Sequence, residues 1–117
     1  MEEKIKELLL ELATSYINDN SAEYIIGYDR DDVDGRTVRE DWVIDSKTLG
    51  NVVYDYLLSL IDSGEFLVEY IAEMCGLSES EYFGITDGND VALIKKYNDM
   101  AYKILDEIDF KSLAESI

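Results

Sequence analysis

The fold is decided by residues 24–44, YIIGYDRDDVDGRTVREDWVI, where two runs rich in strand-forming residues flank Asp34-Gly35. Asp-Gly between two such runs is typical of a two-residue β-hairpin turn. A regular antiparallel ladder in which Val33 pairs with Arg36 beside that turn places Gly27 opposite Trp42. We therefore predict a β-hairpin whose apolar residues lie near its base and whose charged distal half projects into water.

Outside the hairpin, apolar residues recur every three or four positions, which is the spacing of one helix face. Ser63-Gly64 interrupts this pattern, and Gly76 suits the left-handed residue that often ends a helix. Ser78 and Glu81 have the spacing of a capping box, which predicts a further short helical turn. The predicted elements are helices over residues 1–18, 46–62, 65–75 and 90–107 and the hairpin over residues 23–45.

The chain has 117 residues, of which 47% are hydrophobic, and this content is enough for one domain with a modest core. A two-stranded ribbon is marginally stable by itself, so another element must pack against its base. We predict an α+β, mainly helical single domain over residues 1–117, with four or five helices packed on a small antiparallel β-hairpin.

The charge of the chain is very uneven. Its net charge is -17, and between Lys47 and Lys95 there is no Lys or Arg. We call residues 48–94 the acidic segment; its carboxylates belong to Asp55, Asp62, Glu65, Glu69, Glu73, Glu79, Glu81, Asp87 and Asp90. Their mutual repulsion destabilises a compact state without specifying a fold, so we interpret the charge as a surface for a basic partner. The same charge argues against direct binding to nucleic acid or to anionic lipid.

The leading candidate for this surface is a stripe formed by Asp62, Glu65, Glu69 and Glu73, which we call the acidic stripe. On an α-helix these residues share a face opposite Leu67, Ile71 and Met74, and the rise of about 1.5 Å per residue separates successive carboxylates by about 6 Å, as in a row of phosphates. A solvated acidic face is the alternative interpretation. Further predicted partner contacts are Glu79 and Glu81 and, on the hairpin, Asp29, Asp31, Asp32 and Asp34.

Metal binding and catalysis have little support in the sequence. There is no His, and the single Cys75 has no partner for a disulfide bond within the chain. The run DRDDVDG resembles a calcium loop, but counting from its Gly places Arg30 at the first ligand position. We predict no metal, no cofactor and no enzymatic activity. No apolar run has the length of a membrane span, so we expect a cytoplasmic protein, in the host cytosol if it is phage-encoded.

Residues 70–82, YIAEMCGLSESEY, resemble the helix-turn-helix of small DNA-binding regulators, with Ala72 as the small residue and Gly76 in the turn. The second helix would present Glu79 and Glu81, which repel phosphates where DNA readers carry basic or amide side chains. The resemblance therefore implies a corner that does not bind DNA. It leaves open a regulatory or adaptor domain that binds another protein, or a plain helix corner.

In its size, its acidity and its lack of catalytic residues, the chain resembles the small anti-defence proteins of phages and mobile elements, namely anti-CRISPR and antirestriction proteins, some of which mimic DNA. This resemblance implies a non-enzymatic inhibitor whose partner is a basic nucleic-acid-binding protein, either a CRISPR effector or a restriction enzyme, blocked at its nucleic-acid site. An immunity protein that neutralises a nuclease toxin is a second candidate within the inhibitor class.

Overall fold

The computed structural model describes residues 1–33 and 36–116, and for residues 29–33 and 36–42 it describes the backbone alone. The third helix, α3, is a π-helix over Phe66–Ile71 that continues as one α-helical turn, Ala72–Met74. The remaining elements are α1 (Glu2–Asn20), a 3-10 turn (Ser21–Tyr24), β1 (Ile25–Val33), β2 (Arg36–Ile44), α2 (Ser46–Asp62), α4 (Glu79–Thr86), α5 (Val91–Glu107) and α6 (Phe110–Glu115).

This is the mainly helical α+β domain predicted from the sequence. The described part of the chain contains six helices, one more than the upper predicted number: α4 is the predicted short turn after Ser78, and α6 is the additional helix. Helix α2 has the predicted bounds, whereas α1 runs two residues further than predicted, to Asn20. Helix α3 ends at Met74, and Gly76 follows with a φ of 66°, the predicted left-handed conformation.

The core lies between α1, α2, α3 and α5, and α6 closes it from the side of α2. The buried side chains are all apolar among the residues whose burial the structure describes. Gly50 sets the distance between α2 and α6, since a Cβ atom there would lie 2.9 Å from the backbone nitrogen of Lys111. The largest fully buried side chains are Phe66, Ile5, Leu9, Ile17, Leu49, Leu57, Ile61, Ile71, Leu105 and Val53.

Aspartates cap three of the helices. Asp45 accepts a hydrogen bond from the Thr48 backbone N–H at 3.2 Å, and Asp90 accepts one from Leu93 at 3.1 Å. Asp109 caps α6 in the same way. A carboxylate at this position satisfies an N–H without an intrahelical partner and interacts favourably with the helix dipole. Part of the acidic composition therefore has a local structural role.

The hairpin has two antiparallel strands, and Val33 pairs with Arg36 as predicted. The prediction that Gly27 faces Trp42 is wrong, because Gly27 pairs with Val43. The register shifts between Ile25 and Gly27, so one extra residue of β1 bulges out of the ladder, and a second shift between Asp31 and Asp32 restores the original register. The predicted turn, Asp34-Gly35, lies outside the described residues.

The hairpin extends away from the helices. Its base is joined to them by a backbone hydrogen bond from Asp45 N–H to the Tyr24 carbonyl at 2.8 Å. The molecule measures 68 × 21 × 21 Å, and its radius of gyration of 18.7 Å exceeds the value of about 13 Å typical of a compact domain near this length. At the base, Ile26 is 67% exposed.

Candidate partner-binding surface

The carboxylates of the acidic segment lie at the surface of the molecule. All of them are exposed except Glu81, which is half-buried. The ion pairs formed by described side chains are Lys4–Glu7, Lys95–Asp99, Lys103–Glu2 and Lys111–Glu115, and each involves two exposed residues outside this segment. Within that described part, no ion pair neutralises a carboxylate of the acidic segment. Its negative potential is therefore directed into solvent.

Helix α3 carries Glu69 and Glu73 of the acidic stripe, and Glu65 directly precedes it, but its type differs from the prediction. Its backbone bonds span five residues, as from Ala72 N–H to the Leu67 carbonyl. The predicted α-helical spacing of carboxylates is therefore wrong for the part of the stripe on the π-helix. The burial pattern explains the difference: Phe66 and Ile71 are buried five residues apart, as are Leu67 and Ala72. This repeat fits a π-helix.

Met74 also departs from the face that an α-helix would give it. On an α-helix it would share the inward face of Leu67 and Ile71, but it is 56% exposed, so its predicted inward position is wrong. The carboxyl-bearing side of α3 keeps its predicted orientation toward solvent, because Glu69 and Glu73 are exposed, as is Glu65 directly before the helix.

Tyrosine hydroxyls hold several of these carboxylates in place. Tyr102 donates a hydrogen bond to Oδ1 of Asp62 at 2.5 Å, and Tyr82 donates one to Oε1 of Glu73 at 2.7 Å. In both tyrosines the hydrogen bond to the carboxylate is the main cause of a raised pKa. These hydroxyls therefore keep their protons through the neutral range and remain donors. The two ends of the acidic stripe are thus anchored to α5 and α4.

Glu81 has a mainly structural role at the start of α4. It completes the predicted capping box: the Ser78 hydroxyl accepts from the Glu81 backbone N–H at 3.3 Å, and Ser78 N–H donates to the Glu81 carboxylate at 3.4 Å. Hydrogen bonds from Ser78 lower the pKa of Glu81. Tyr97 also donates to its second oxygen at 3.3 Å. Of the two predicted contacts on α4, Glu79 is the exposed one.

The predicted contacts on the hairpin are described only in part. Asp29, Asp31 and Asp32 lie in β1, where the structure describes their backbone, and Asp34 lies outside the described residues.

Sequence reasoning missed a second group of carboxylates, between α2 and α5. The Tyr54 hydroxyl on α2 donates to Oδ1 of Asp106 on α5 at 2.7 Å, the counterpart of the bond from Tyr102 on α5 to Asp62 on α2. The hydrogen bond to Asp106 is the main cause of the raised pKa of Tyr54, and the charge of Asp55 contributes. Only the antiparallel pairing of α2 with α5, which no local pattern encodes, could have revealed this group.

The structure also bears on the reactivity of Cys75, on metal binding and on membrane spans. Cys75 is half-buried, and burial raises the pKa of its thiol, which lowers its reactivity as a nucleophile at neutral pH. No group of three or more His, Cys, Asp or Glu in the described residues is arranged to hold a metal ion. Across those same residues, no helix combines the length and the apolar character needed to cross a membrane.

Comparisons of the chain with protein-family models, with curated proteins and with solved structures found no match.

Proposed function

We propose that this protein is a non-enzymatic inhibitor that binds a basic nucleic-acid-handling protein and blocks its nucleic-acid site with carboxylates in place of phosphates. The proposed partner is a CRISPR effector or a restriction enzyme, which carries a cationic groove for nucleic acid. The proposed partner-contacting residues are those of the acidic stripe together with Glu79, and the hairpin aspartates remain contacts predicted from the sequence.

One observation carries this proposal: the acidic segment presents solvent-directed carboxylates without ion pairs from the described side chains, and tyrosines fix Asp62 and Glu73. These bonds order both carboxylates in the free protein. For a mimic they matter, because ordering long side chains at an interface costs about 0.5–1.5 kcal/mol for each one immobilised. Carboxylates that are already ordered reduce this cost. Complementary charge also accelerates association with a basic groove.

The proposal is tested by phage plating on a panel of bacterial strains, each with one active CRISPR or restriction system, with and without the chain expressed. We expect the chain to restore plaque formation on at least one strain and to have no effect on the matched strain whose system is deleted. If the chain restores plaque formation on no strain of a panel that covers the main CRISPR and restriction types, the proposed partner class is rejected.

The alternative is a protein-binding adaptor domain that uses the corner between α3 and α4. Two exposed apolar side chains favour it: Met74 is 56% exposed and Phe83 is 49% exposed. The two functions differ in salt dependence, because charge-driven association weakens steeply with ionic strength and apolar docking does not. Partner affinity measured at low and at physiological salt therefore distinguishes them.

A further inference from the structure

A cavity of about 350 Å³ lies between the first half of α2 and the junction of α5 with α6. Its volume is within the range of roughly 300–1,000 Å³ typical of small-molecule sites. One wall is apolar, with Leu105, Ile108 and Phe110. The polar side chains that line it are Lys47, Asn51, Tyr54, Asp106, Asp109 and Lys111.

Two lysines, Lys47 and Lys111, line this cavity in a chain of high negative charge. Lys47 makes no ion pair with any side chain that the structure describes. Lys111 makes one, with Glu115 at 3.6 Å, and both of these residues are exposed. At least one ammonium group at the cavity is therefore available to a ligand carboxylate.

The two carboxylates of the cavity are used differently. Asp109 caps α6 and accepts from both the backbone N–H and the hydroxyl of Ser112, at 3.1 and 2.8 Å. Asp106 accepts from Tyr54 through Oδ1 alone, at 2.7 Å, which leaves its other oxygen for a second donor. Asp106 is thus the group at the cavity that can bind a ligand ammonium.

We propose that this cavity binds a small zwitterion with an apolar side chain, of the class of free α-amino acids. A simple anion would be repelled by Asp106 and Asp109, and a simple cation would be repelled by the lysines. A ligand with both charges satisfies Lys47 and Asp106 together, while its side chain contacts the wall at Ile108. This site is separate from the acidic stripe, and the inference does not depend on the proposed inhibitor function.

The test is a titration of the full chain with L-leucine, followed through the backbone amide NMR signals of Gly50, Asn51 and Ile108. Two analogues serve as matched ligands: 4-methylpentanoate, which lacks the ammonium, and 3-methylbutylamine, which lacks the carboxylate. We expect saturable shifts with leucine and an affinity lower by about tenfold or more for each analogue, because each loses one charge-assisted hydrogen bond.

Two variants locate the site. Lys47→Gln, at an exposed position, should weaken leucine binding by about tenfold. Lys103→Gln removes the same charge from a residue that pairs with Glu2 and does not line the cavity. This variant should bind leucine with the affinity of the unsubstituted chain. The proposal is overturned if leucine causes no saturable shift up to its solubility limit, if the analogues bind equally well, or if the two variants behave alike.

Discussion

At the scale of single residues, the sequence predicts local features well and contacts between helices poorly. The cap at Asp90 and the capping box of Ser78 with Glu81 were predictable, because each depends on residues within one helical turn. The bonds from Tyr102 to Asp62 and from Tyr54 to Asp106 were not, since the partners lie far apart in the chain and meet only after α2 and α5 pack.

The anchoring role of Tyr102 gives a first prediction. Its raised pKa means that the folded state retains the proton more strongly than the unfolded state does, so this stabilisation is present below about pH 10 and is lost as the pH rises through the folded-state pKa. Tyr102→Phe should therefore lower the free energy of unfolding by about 1 kcal/mol or less at neutral pH.

Urea denaturation at neutral and at alkaline pH measures this effect. The difference between the parent and Tyr102→Phe should shrink as the pH rises above about 10. A difference that stays constant with pH would mean that the hydroxyl does not stabilise the fold through its bond to Asp62.

The close approach of α2 and α6 gives a second prediction. Gly50→Ala should destabilise the protein by about 1–3 kcal/mol, because the added Cβ would meet the backbone at Lys111 rather than a flexible side chain. Asn51→Ala changes the neighbouring exposed residue and should alter the free energy of unfolding by no more than about 0.5 kcal/mol. Equal stabilities of the two variants would contradict the observed packing of α6.

At the scale of elements, α3 shows why a correct helix prediction can still misplace side chains. The apolar spacing of Leu67 and Ile71 fits an α-helix, and the sequence contains no signal that a π-helix would form. Whether this segment forms an α-helix or a π-helix depends also on the burial of Phe66 and Ala72. That burial depends in turn on the surrounding helices. The sequence therefore predicted the helix and its acidic side, but not the separation of its carboxylates.

The hairpin gives the element-scale prediction. The buried core contains none of the described side chains of the strands, so the helices should fold without most of the ribbon. Replacing residues 27–42 by a short Gly-Ser linker should leave the helical circular dichroism signal in place and change stability by about 1 kcal/mol or less. A cooperative loss of helix in this variant would show that the ribbon belongs to the folding unit.

At the scale of the whole molecule, the proposed function assigns the charge to association with a partner rather than to the fold. The exposed carboxylates repel each other, and this repulsion is screened by salt over about 8–10 Å near physiological ionic strength. Two interpretations remain distinct: a diffuse polyanion, for which only the number of charges matters, and an ordered mimic, for which their positions matter. The tyrosine anchors at the ends of the acidic stripe favour the ordered mimic.

The chain offers a matched control for this distinction. One set consists of Glu65, directly before α3, with Glu69 and Glu73 on that helix; these residues are exposed and four positions apart. Glu3, Glu7 and Glu11 on α1 are also exposed and have the same spacing. Changing either set to Lys alters the net charge equally. Either variant should remain folded, because all six positions are exposed and surface substitutions usually change the free energy of unfolding by about 0.5 kcal/mol or less each. Each variant loses one exposed contact: the α3 set loses the bond from Tyr82 to Glu73, and the α1 set loses the ion pair of Glu7 with Lys4.

The most direct measurement is the affinity of both triple-Lys variants for the CRISPR effector or restriction enzyme found by phage plating, at one fixed salt concentration. An ordered mimic predicts a loss of about 100-fold or more for the α3 variant and a much smaller loss for the α1 variant, because charges in direct contact contribute far more than distant ones. Equal losses in the two variants would contradict the ordered mimic and support diffuse electrostatics. No loss in either would support the adaptor instead.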